Sequence, residues 1–415
     1  MFSLDKFYNI LHSNLINPIT GSNSNLSLYF NDFGTYDTFS IIDDHFDSEP
    51  AITNYSSLAQ KVALSRQSSF HCYFFDQEPF YEYTKNVLND SFISAKDSTR
   101  PTRINILANS EKSQLLSDYI KTDSLYNWYY FFHGFAALDW YRDFQYAPSH
   151  YFDRFNKVFI CYNHLTSKYR SYRLHLVSNL IDQDLVKHGH VSLFLKDNEG
   201  TWQDTVRDPT TPLNNKARVH IFKTLKNITE PLTIDTNTPT GAMSADVRLD
   251  QLTSAMFHIV TETVYFLPKL HLTEKVFKPI VAKRPFILVA APGNLAYLKS
   301  YGFKTFDRWI DESYDQETDN YVRIEMITAE IKKLCELSSS ALQQMYQEMQ
   351  EVLEYNFNYF YGDFKRVLVN ELVDNFGGIL SQINNGRMPN NHSKYHQRFE
   401  LPNGYLEEVK QRLLR

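Results

Sequence analysis

Glycine is scarce in this chain, with only 13 glycines among 415 residues. They form neither the Gly-x-Gly-x-x-Gly pattern of dinucleotide-binding folds nor the Gly-x-x-x-x-Gly-Lys pattern of phosphate-binding loops. Both of these common nucleotide sites are therefore excluded. Any phosphate group that the protein binds must be held mainly by side chains and helix N-termini.

Cysteine and long apolar segments are also scarce. Cys72, Cys161 and Cys335 lie far apart with no Cys-x-x-Cys pair, which argues against a disulfide framework and a cysteine-based zinc site. The N-terminus has no apolar signal segment, and the longest apolar runs, such as residues 286–291, are too short to span a bilayer. We expect a cytoplasmic protein with no membrane partner.

Positive charge is not in excess. The formal net charge of −6 gives no general attraction to nucleic acid or anionic membranes, although a local basic face is compatible with it. The 43% apolar content is that of a globular protein, and the length fits two domains better than one. Two domains imply a cleft between them.

Short apolar runs alternate with helix-compatible stretches. Strands are predicted at residues 70–75, 104–107, 129–132, 158–162, 191–195, 257–261 and 286–290. Helices are predicted at 111–120 and 169–186, from Thr273 onward, from Ile324 through Met349, and at 406–414. Strands that alternate with helices predict parallel α/β sheets.

We therefore predict an α/β fold of two Rossmann-like domains that face each other across a cleft. Residues 146–150 break the alternation, so the first domain is predicted to span 1–150 and the second 151–360. Helices over 361–415 are expected to pack back across both. Residues 200–247 show little periodicity and predict a long irregular insertion, a feature that is often functional.

The strongest chemical signal lies in residues 257–285. A predicted strand ends at Glu262, and Thr273 can cap the next helix. Ligands of open α/β sheets usually bind at such strand ends. The polar side chains that we assign to a ligand site here are Glu262, Thr273, Glu274, Lys275 and Lys278.

Two of these side chains suit a nucleotide. The carboxylate of Glu274 can accept hydrogen bonds from both ribose hydroxyls, and the ammonium of Lys275 can offset a diphosphate at the positive end of a helix. The alternative is a solvated helix N-terminus with an incidental Glu-Lys pair.

These residues resemble the donor-site motif of α-1,3-fucosyltransferases and exostosin-like glycosyltransferases. Phage-encoded glycosyltransferases are more similar still, with Glu-Lys-x-Phe-Lys-Pro-Ile, Pro-Phe-Ile-Leu and Tyr-Leu-Lys-x-x-Gly-Phe runs, here at 274–280, 285–288 and 297–303. The fucosyltransferase pattern has Glu-Asn where this chain has Glu262-Thr263. The resemblance implies a GT-B fold, a nucleoside-diphosphate sugar as co-substrate with no other cofactor, and the host cytoplasm if the protein is phage-encoded.

A second element follows the first strand of the second domain. Asn163 ends that strand, and Arg170 and Arg173 are one turn apart on the predicted helix 169–186, where they can grip a diphosphate. Similar glycosyltransferases use basic side chains at this place, so we assign all three to the donor site. A surface arginine pair is the alternative.

No metal site is predicted. Asp182-Gln-Asp184 has the Asp-x-Asp spacing of manganese-dependent glycosyltransferases, but it falls at the end of an amphipathic helix and indicates a solvated helix end. His188-Gly-His190 is too isolated to close a metal site.

Three first-domain residues are candidates for the general base. Asp76 and Glu78 follow an aromatic strand, and Pro79 keeps Glu78 extended so that both carboxylates point the same way. His133 follows another aromatic strand. One of them is predicted to remove the proton of the acceptor hydroxyl in an inverting displacement. A capped turn and a structural histidine are the alternatives.

Two acceptors are near-equal candidates, a 5-hydroxymethylpyrimidine in phage DNA and a cell-surface or virion glycan. Trp140 and Tyr141 are predicted to stack on the acceptor, whether a sugar or an extruded base. The DNA candidate also rests on basic residues of the insertion, Lys216, Arg218, Lys223 and Lys226. An inactive relative that binds a nucleotide or glycan, and a purely structural phage protein, are further alternatives.

Overall fold

A computed structural model describes most of the second half of the chain and parts of the first. The described residues are 25–32, 35–42, 45–48, 68–75, 79–80, 104–122, 127–141, 155–197, 200–229, 232, 247, 249–384 and 404–414. The chain divides into two compact units, one made of Met1–Asp139 with Lys365–Arg415 and the other of Trp140–Phe364. Among the described residues, no helix is long and apolar enough to cross a bilayer.

The described residues of both units include strands and helices. The strands are β1 (Asn25–Asp32), β2 (Thr35–Ile42), β3 (His45–Ser48), β4 (Ser68–Phe75), β5 (Ile104–Asn109), β6 (Lys112–Ser113), β7 (Asn127–Tyr130), β8 (Lys157–Cys161), β9 (Gly189–Val191), β10 (Lys196–Asp197), β11 (Gly200–Thr201), β12 (Ala255–Thr261), β13 (Lys269–Leu270) and β14 (Phe286–Val289). The helices are α1 (Gln114–Thr122), α2 (Gly134–Tyr141), α3 (Tyr172–Asp182), α4 (Trp202–Arg207), α5 (Asn215–Leu225), α6 (Leu249–Ser254), α7 (Glu274–Val281), α8 (Asn294–Ser300), α9 (Asn320–Cys335), α10 (Ser339–Glu348), α11 (Gln350–Tyr361), α12 (Asp363–Asn384) and α13 (Tyr405–Leu414).

The first unit contains a six-stranded mixed sheet in the order β3-β2-β1-β4-β5-β7. β1, β4, β5 and β7 run parallel, and β2 and β3 add an antiparallel edge. Beside it, the rings of Phe80, Tyr119 and Trp128 pack with centroids 5.2 to 6.0 Å apart. The Lys410 ammonium lies 2.8 Å from Asp374, which joins α13 to α12.

The second unit is built on a four-stranded parallel sheet in the order β14-β12-β8-β9. β12 is buried along its whole length, as its apolar run predicts. α3 follows β8 and is buried over nine consecutive residues, from Tyr172 to Leu180. The α/β fold class and a parallel sheet are therefore confirmed.

The helix predicted from Thr273 is confirmed as α7, with Thr273 as its N-cap. Its buried face includes Phe277, whose ring lies 5.3 Å from that of Phe360 and 5.8 Å from those of Phe303 and Phe364. Such aromatic pairs bury large apolar areas. These phenylalanines thus pack α7 against α11 and the start of α12.

Two predictions of local structure are wrong. Residues 200–229 are not irregular, because Thr201 and Asp204 form a capping box for α4 and Asn214 caps α5. The predicted helix 169–186 does not begin at 169, because a separate 3-10 turn (Lys168–Arg170) precedes α3.

Candidate functional site

The carboxyl end of β12 is tied to the start of α7 by one carboxylate. Glu262 is fully buried, and its Oε1 accepts a hydrogen bond from the backbone N–H of Thr273 at 3.2 Å. Its Oε2 accepts from the Thr273 hydroxyl at 2.6 Å and from the N–H of Thr263 at 3.3 Å. Glu262 therefore acts within the protein, and its predicted contact with a donor is indirect at most.

Lys275 lies in the first turn of α7 among oxygen atoms. Its Nζ is 2.8 Å from Oε1 of Glu274, 3.3 Å from the hydroxyl of Thr273 and 3.5 Å from that of Thr263. The Lys275 side chain is 31% exposed and that of Glu274 only 8%. The ammonium is thus oriented by the protein and still reachable from solvent.

Charges of both signs meet in this cluster. Burial raises the pKa of Glu262, while the charge of Lys275 and the hydrogen bonds from Thr273 oppose that rise. The N-terminus of α7 adds partial positive charge from its backbone N–H groups. A ligand with one anionic and one hydroxyl-bearing end matches Lys275 and Glu274.

Arg173 supports this end of the sheet from α3. Only 4% exposed, its guanidinium donates to the carbonyl oxygens of Leu165 at 2.8 Å and of Thr261 at 2.9 Å. The Tyr172 hydroxyl donates to the carbonyl of Glu262 at 2.5 Å. Arg173 therefore braces two backbone segments through its two terminal nitrogens.

The two arginines predicted to lie on one helix belong to consecutive helical segments. Arg170 ends the 3-10 turn and Arg173 lies in the first turn of α3, with Ser171 and Tyr172 between them in the sequence. Lys168 at the start of this turn has a φ of 45°, a left-handed conformation that an uninterrupted α-helix does not contain.

Asn163 makes its hydrogen bonds within the sheet. Its side chain is fully buried, and its Nδ2 donates to the carbonyl of Ser192 at 3.1 Å and to Sγ of Cys161 at 3.2 Å. Its backbone N–H donates to the Ser192 hydroxyl at 2.7 Å. Asn163 therefore joins the ends of β8 and β9 through its N–H groups.

Lys278 is half-buried one turn beyond the Glu274–Lys275 pair. Burial, with a smaller contribution from the charge of Lys278, lowers the pKa of His258 in β12 to about 3. The charge of Lys278 therefore acts on His258 of β12, whether or not Lys278 also contacts a ligand.

Of the residues predicted to bind the acceptor or to act as the base, the structure describes the side chains of Tyr141 and His133. Tyr141 is fully buried and donates a hydrogen bond to the carbonyl of Glu274 at 3.3 Å, so its ring does not offer a stacking surface. His133 is 1% exposed. Asp76, Glu78 and the side chain of Trp140 lie outside the described residues.

The aspartates weighed as metal ligands have ordinary surroundings. Asp182 and Asp184 are exposed at the end of α3, and Asp184 forms an ion pair with Lys187. In the part of the chain that the structure describes, no group of three or more His, Cys, Asp or Glu side chains could hold a metal ion.

Comparisons with known proteins add no relative. No protein-family model, curated protein or solved structure matches this chain. The resemblance to glycosyltransferases therefore stays a prediction from the motifs, and the functional proposal depends on the geometry at the end of β12.

Three features of the site are not predicted from the sequence. They are the contact of Thr263 with Lys275, the bracing role of Arg173, and the stacked rings of His164 and Phe194 after β8 and β9. Thr263 stands directly after Glu262 at the strand end, and that position was the available signal. The contacts of Arg173 join residues 8 and 88 positions apart, and no local pattern encodes them.

Proposed function

We propose that this chain is a glycosyltransferase that uses a nucleoside-diphosphate sugar, with two Rossmann-like domains of the GT-B type. The observation that carries the proposal is the Lys275 ammonium, 2.8 Å from Glu274 at the N-terminus of α7 and partly exposed. The α7 N-terminus follows the fully buried central strand of a parallel sheet, the place where open α/β sheets bind ligands. The motif resemblance supports the same conclusion.

Binding of the donor exchanges one partner for another. Lys275 turns from the Glu274 carboxylate to the diphosphate oxygens, and Glu274 then accepts hydrogen bonds from the ribose hydroxyls. The hydroxyls of Thr263 and Thr273, within 3.5 Å of Nζ, keep the ammonium in place during this exchange. The ammonium and the helix N-terminus supply positive charge to the diphosphate, so the proposed reaction needs no metal ion.

The proposed reaction is a single displacement with inversion. The acceptor oxygen bonds to the anomeric carbon as the bond from that carbon to the diphosphate oxygen breaks, and the hydroxyl proton passes to the general base. Asp76, Glu78 and His133 remain the candidates. The charge that develops on the leaving nucleoside diphosphate falls on Lys275.

For the acceptor we favour a 5-hydroxymethylpyrimidine in DNA, since Lys216 and Lys223 of α5 and Lys226, its C-cap, are exposed basic residues. Arg218 is not one of them, because its guanidinium donates to the carbonyls of Leu213, Asp208 and Thr211 at 2.8 to 2.9 Å. A glycan acceptor is the alternative. A third candidate, a binding protein without catalysis, is favoured by the deep burial of His133.

Transfer of labelled sugar tests the activity. The full chain is incubated with labelled nucleotide sugars and duplexes that carry 5-hydroxymethylcytosine, 5-hydroxymethyluracil or unmodified bases, at two salt concentrations and with or without chelator. We expect label in a hydroxymethylated duplex only, unaffected by chelator and reduced at high salt because phosphate contacts release counterions. Label in a soluble glycan instead would identify the alternative acceptor, and no transfer to either would contradict the enzyme proposal.

A further inference from the structure

A stacked pair of rings lies at the same edge of the parallel sheet as Lys275. His164 follows β8 and Phe194 follows β9, and their ring centroids are 4.8 Å apart with planes 27° from parallel. His164 is exposed and Phe194 is half-buried. The pair therefore presents an exposed imidazole ring that is stacked on a partly exposed phenylalanine.

The strand order places the strands that precede these rings beside β12. β8 is next to β12, and β9 is next to β8. Adjacent strands are about 4.8 Å apart, so the ends of β8 and β9 lie roughly 5 and 10 Å across the sheet from the end of β12. A ribose that joins a base to a diphosphate can bridge such a gap.

Buried hydrogen bonds hold the rings in fixed relation to the end of β12. Arg173 donates to the carbonyl of Leu165, next to His164, and to that of Thr261 in β12. Asn163, on the other side of His164, donates to the carbonyl of Ser192, two residues before Phe194. Arg173 and Asn163, which the sequence assigned to the donor site, thus position the segments after β8 and β9 relative to β12.

We propose that His164 and Phe194 form a platform on which the nucleobase of the donor nucleotide stacks. This proposal rests on the proposed function, and it adds the place of the base to that of the diphosphate. Every base has a π-face, so stacking on such a platform tolerates different bases. The rings therefore contribute affinity for nucleotides in general, and choice among bases requires other contacts.

The test compares ligands that have a base with one that has none. Binding of UDP, GDP, CDP, ADP and pyrophosphate to the full chain is measured by calorimetry for the wild type and for His164→Ala and Phe194→Leu. Phe222→Leu is the matched control, because Phe222 is a 45% exposed phenylalanine on α5. Thermal unfolding of each variant establishes that it folds, and the leucine keeps apolar volume at position 194.

We expect each platform variant to weaken every nucleoside diphosphate that the wild type binds by roughly 5- to 100-fold, the usual effect of losing one base–aromatic stack. Pyrophosphate affinity and the control should be unchanged. If the folded variants bind nucleoside diphosphates as tightly as the wild type does, the platform proposal is wrong and the proposed function is unaffected. Equal losses for pyrophosphate would also overturn it, and failure of every nucleoside diphosphate to bind the wild type would instead refute the proposed function.

Discussion

The carboxylate of Glu262 holds Thr273 by two hydrogen bonds, one of 3.2 Å from its backbone N–H and one of 2.6 Å from its hydroxyl. Both residues are at least 99% buried, so water cannot take the place of either hydrogen-bond partner unless the structure rearranges. The end of β12 and the start of α7 are thereby one unit, and Lys275 is placed by it. The stability of this link and the affinity of the site should change together.

Loss of the Glu262 carboxylate should destabilise the protein. Glu262→Ala leaves two buried donors of Thr273 without an acceptor, which should lower the free energy of unfolding by about 2 to 4 kcal/mol in urea titrations. Glu262→Gln retains one acceptor oxygen and should cost less. The control Glu325→Gln, in an exposed pair with Lys216 at 3.9 Å, should stay within about 0.5 kcal/mol of the wild type. A Glu262→Ala variant as stable as that control would contradict the link.

Substitutions of the N-cap Thr273 should show whether its hydroxyl group, and not its methyl group, supports the site. Thr273→Ala removes the α7 N-cap, worth about 1 kcal/mol, and also the donor to Glu262 and a contact of Lys275. Thr273→Ser keeps all three. We expect the alanine variant to bind nucleoside diphosphates more weakly and the serine variant to bind them as the wild type does. Equal affinity in both variants would show that the cap does not position Lys275.

Arg173 should prove to be a structural brace. Arg173→Met removes donors from the carbonyls of Leu165, Thr261 and Glu262, and we expect a loss of about 2 to 4 kcal/mol in the free energy of unfolding. Arg173→Lys should be intermediate, because a single ammonium cannot reach both segments. If Arg173 gripped the diphosphate instead, nucleotide affinity would fall while urea midpoints stayed unchanged.

Two buried histidines should make the protein sensitive to acid. Burial, with smaller effects of His220 and Lys216, lowers the pKa of His175 to about 4, and burial with Lys278 lowers that of His258 to about 3. A histidine whose folded pKa lies below its unfolded value of 6.5 binds more protons when unfolded. Its contribution to stability is complete above that value and is lost as the pH falls toward the folded pKa.

The size of this effect follows from the two pKa values. Between neutral pH and about pH 4.5, each histidine should cost about 2 to 3 kcal/mol of unfolding free energy. His258→Phe removes one titrating group. Between neutral pH and about pH 4.5, its free energy of unfolding in urea should therefore fall by about 2 to 3 kcal/mol less than that of the wild type. An unchanged acid slope in His258→Phe would show that His258 is not buried in its neutral form.

The frame of the site could be predicted because local patterns encode it. An apolar run became β12, a threonine before an acidic first turn became the N-cap of α7, and residues 286–290 became β14 within one residue. α5 was missed although Ala217, Ile221 and Leu225 recur every four residues after Asn214. Its many charged and polar residues obscured that stripe.

Contacts between distant segments could not be predicted. Arginine at position 173 is compatible with a diphosphate or with three carbonyls, and only the packing of α3 against β12 decides between them. Tyr141 is an aromatic residue after a strand, yet its burial follows from partners 133 and 220 residues away. The two-domain GT-B arrangement and its boundaries stay predictions.

Equilibrium binding of nucleoside diphosphates tests the central proposal most directly. Calorimetric titration with UDP, GDP, CDP and ADP in excess chelator is performed on the wild type, on Lys275→Met and on the control Lys332→Met, a lysine that is 51% exposed on α9. We predict that at least one nucleotide binds the wild type and the control equally. Lys275→Met should weaken it by about 10-fold or more, the usual effect of losing a charge-assisted contact. No binding to the wild type, or equal binding to Lys275→Met, would contradict the assignment of the donor site.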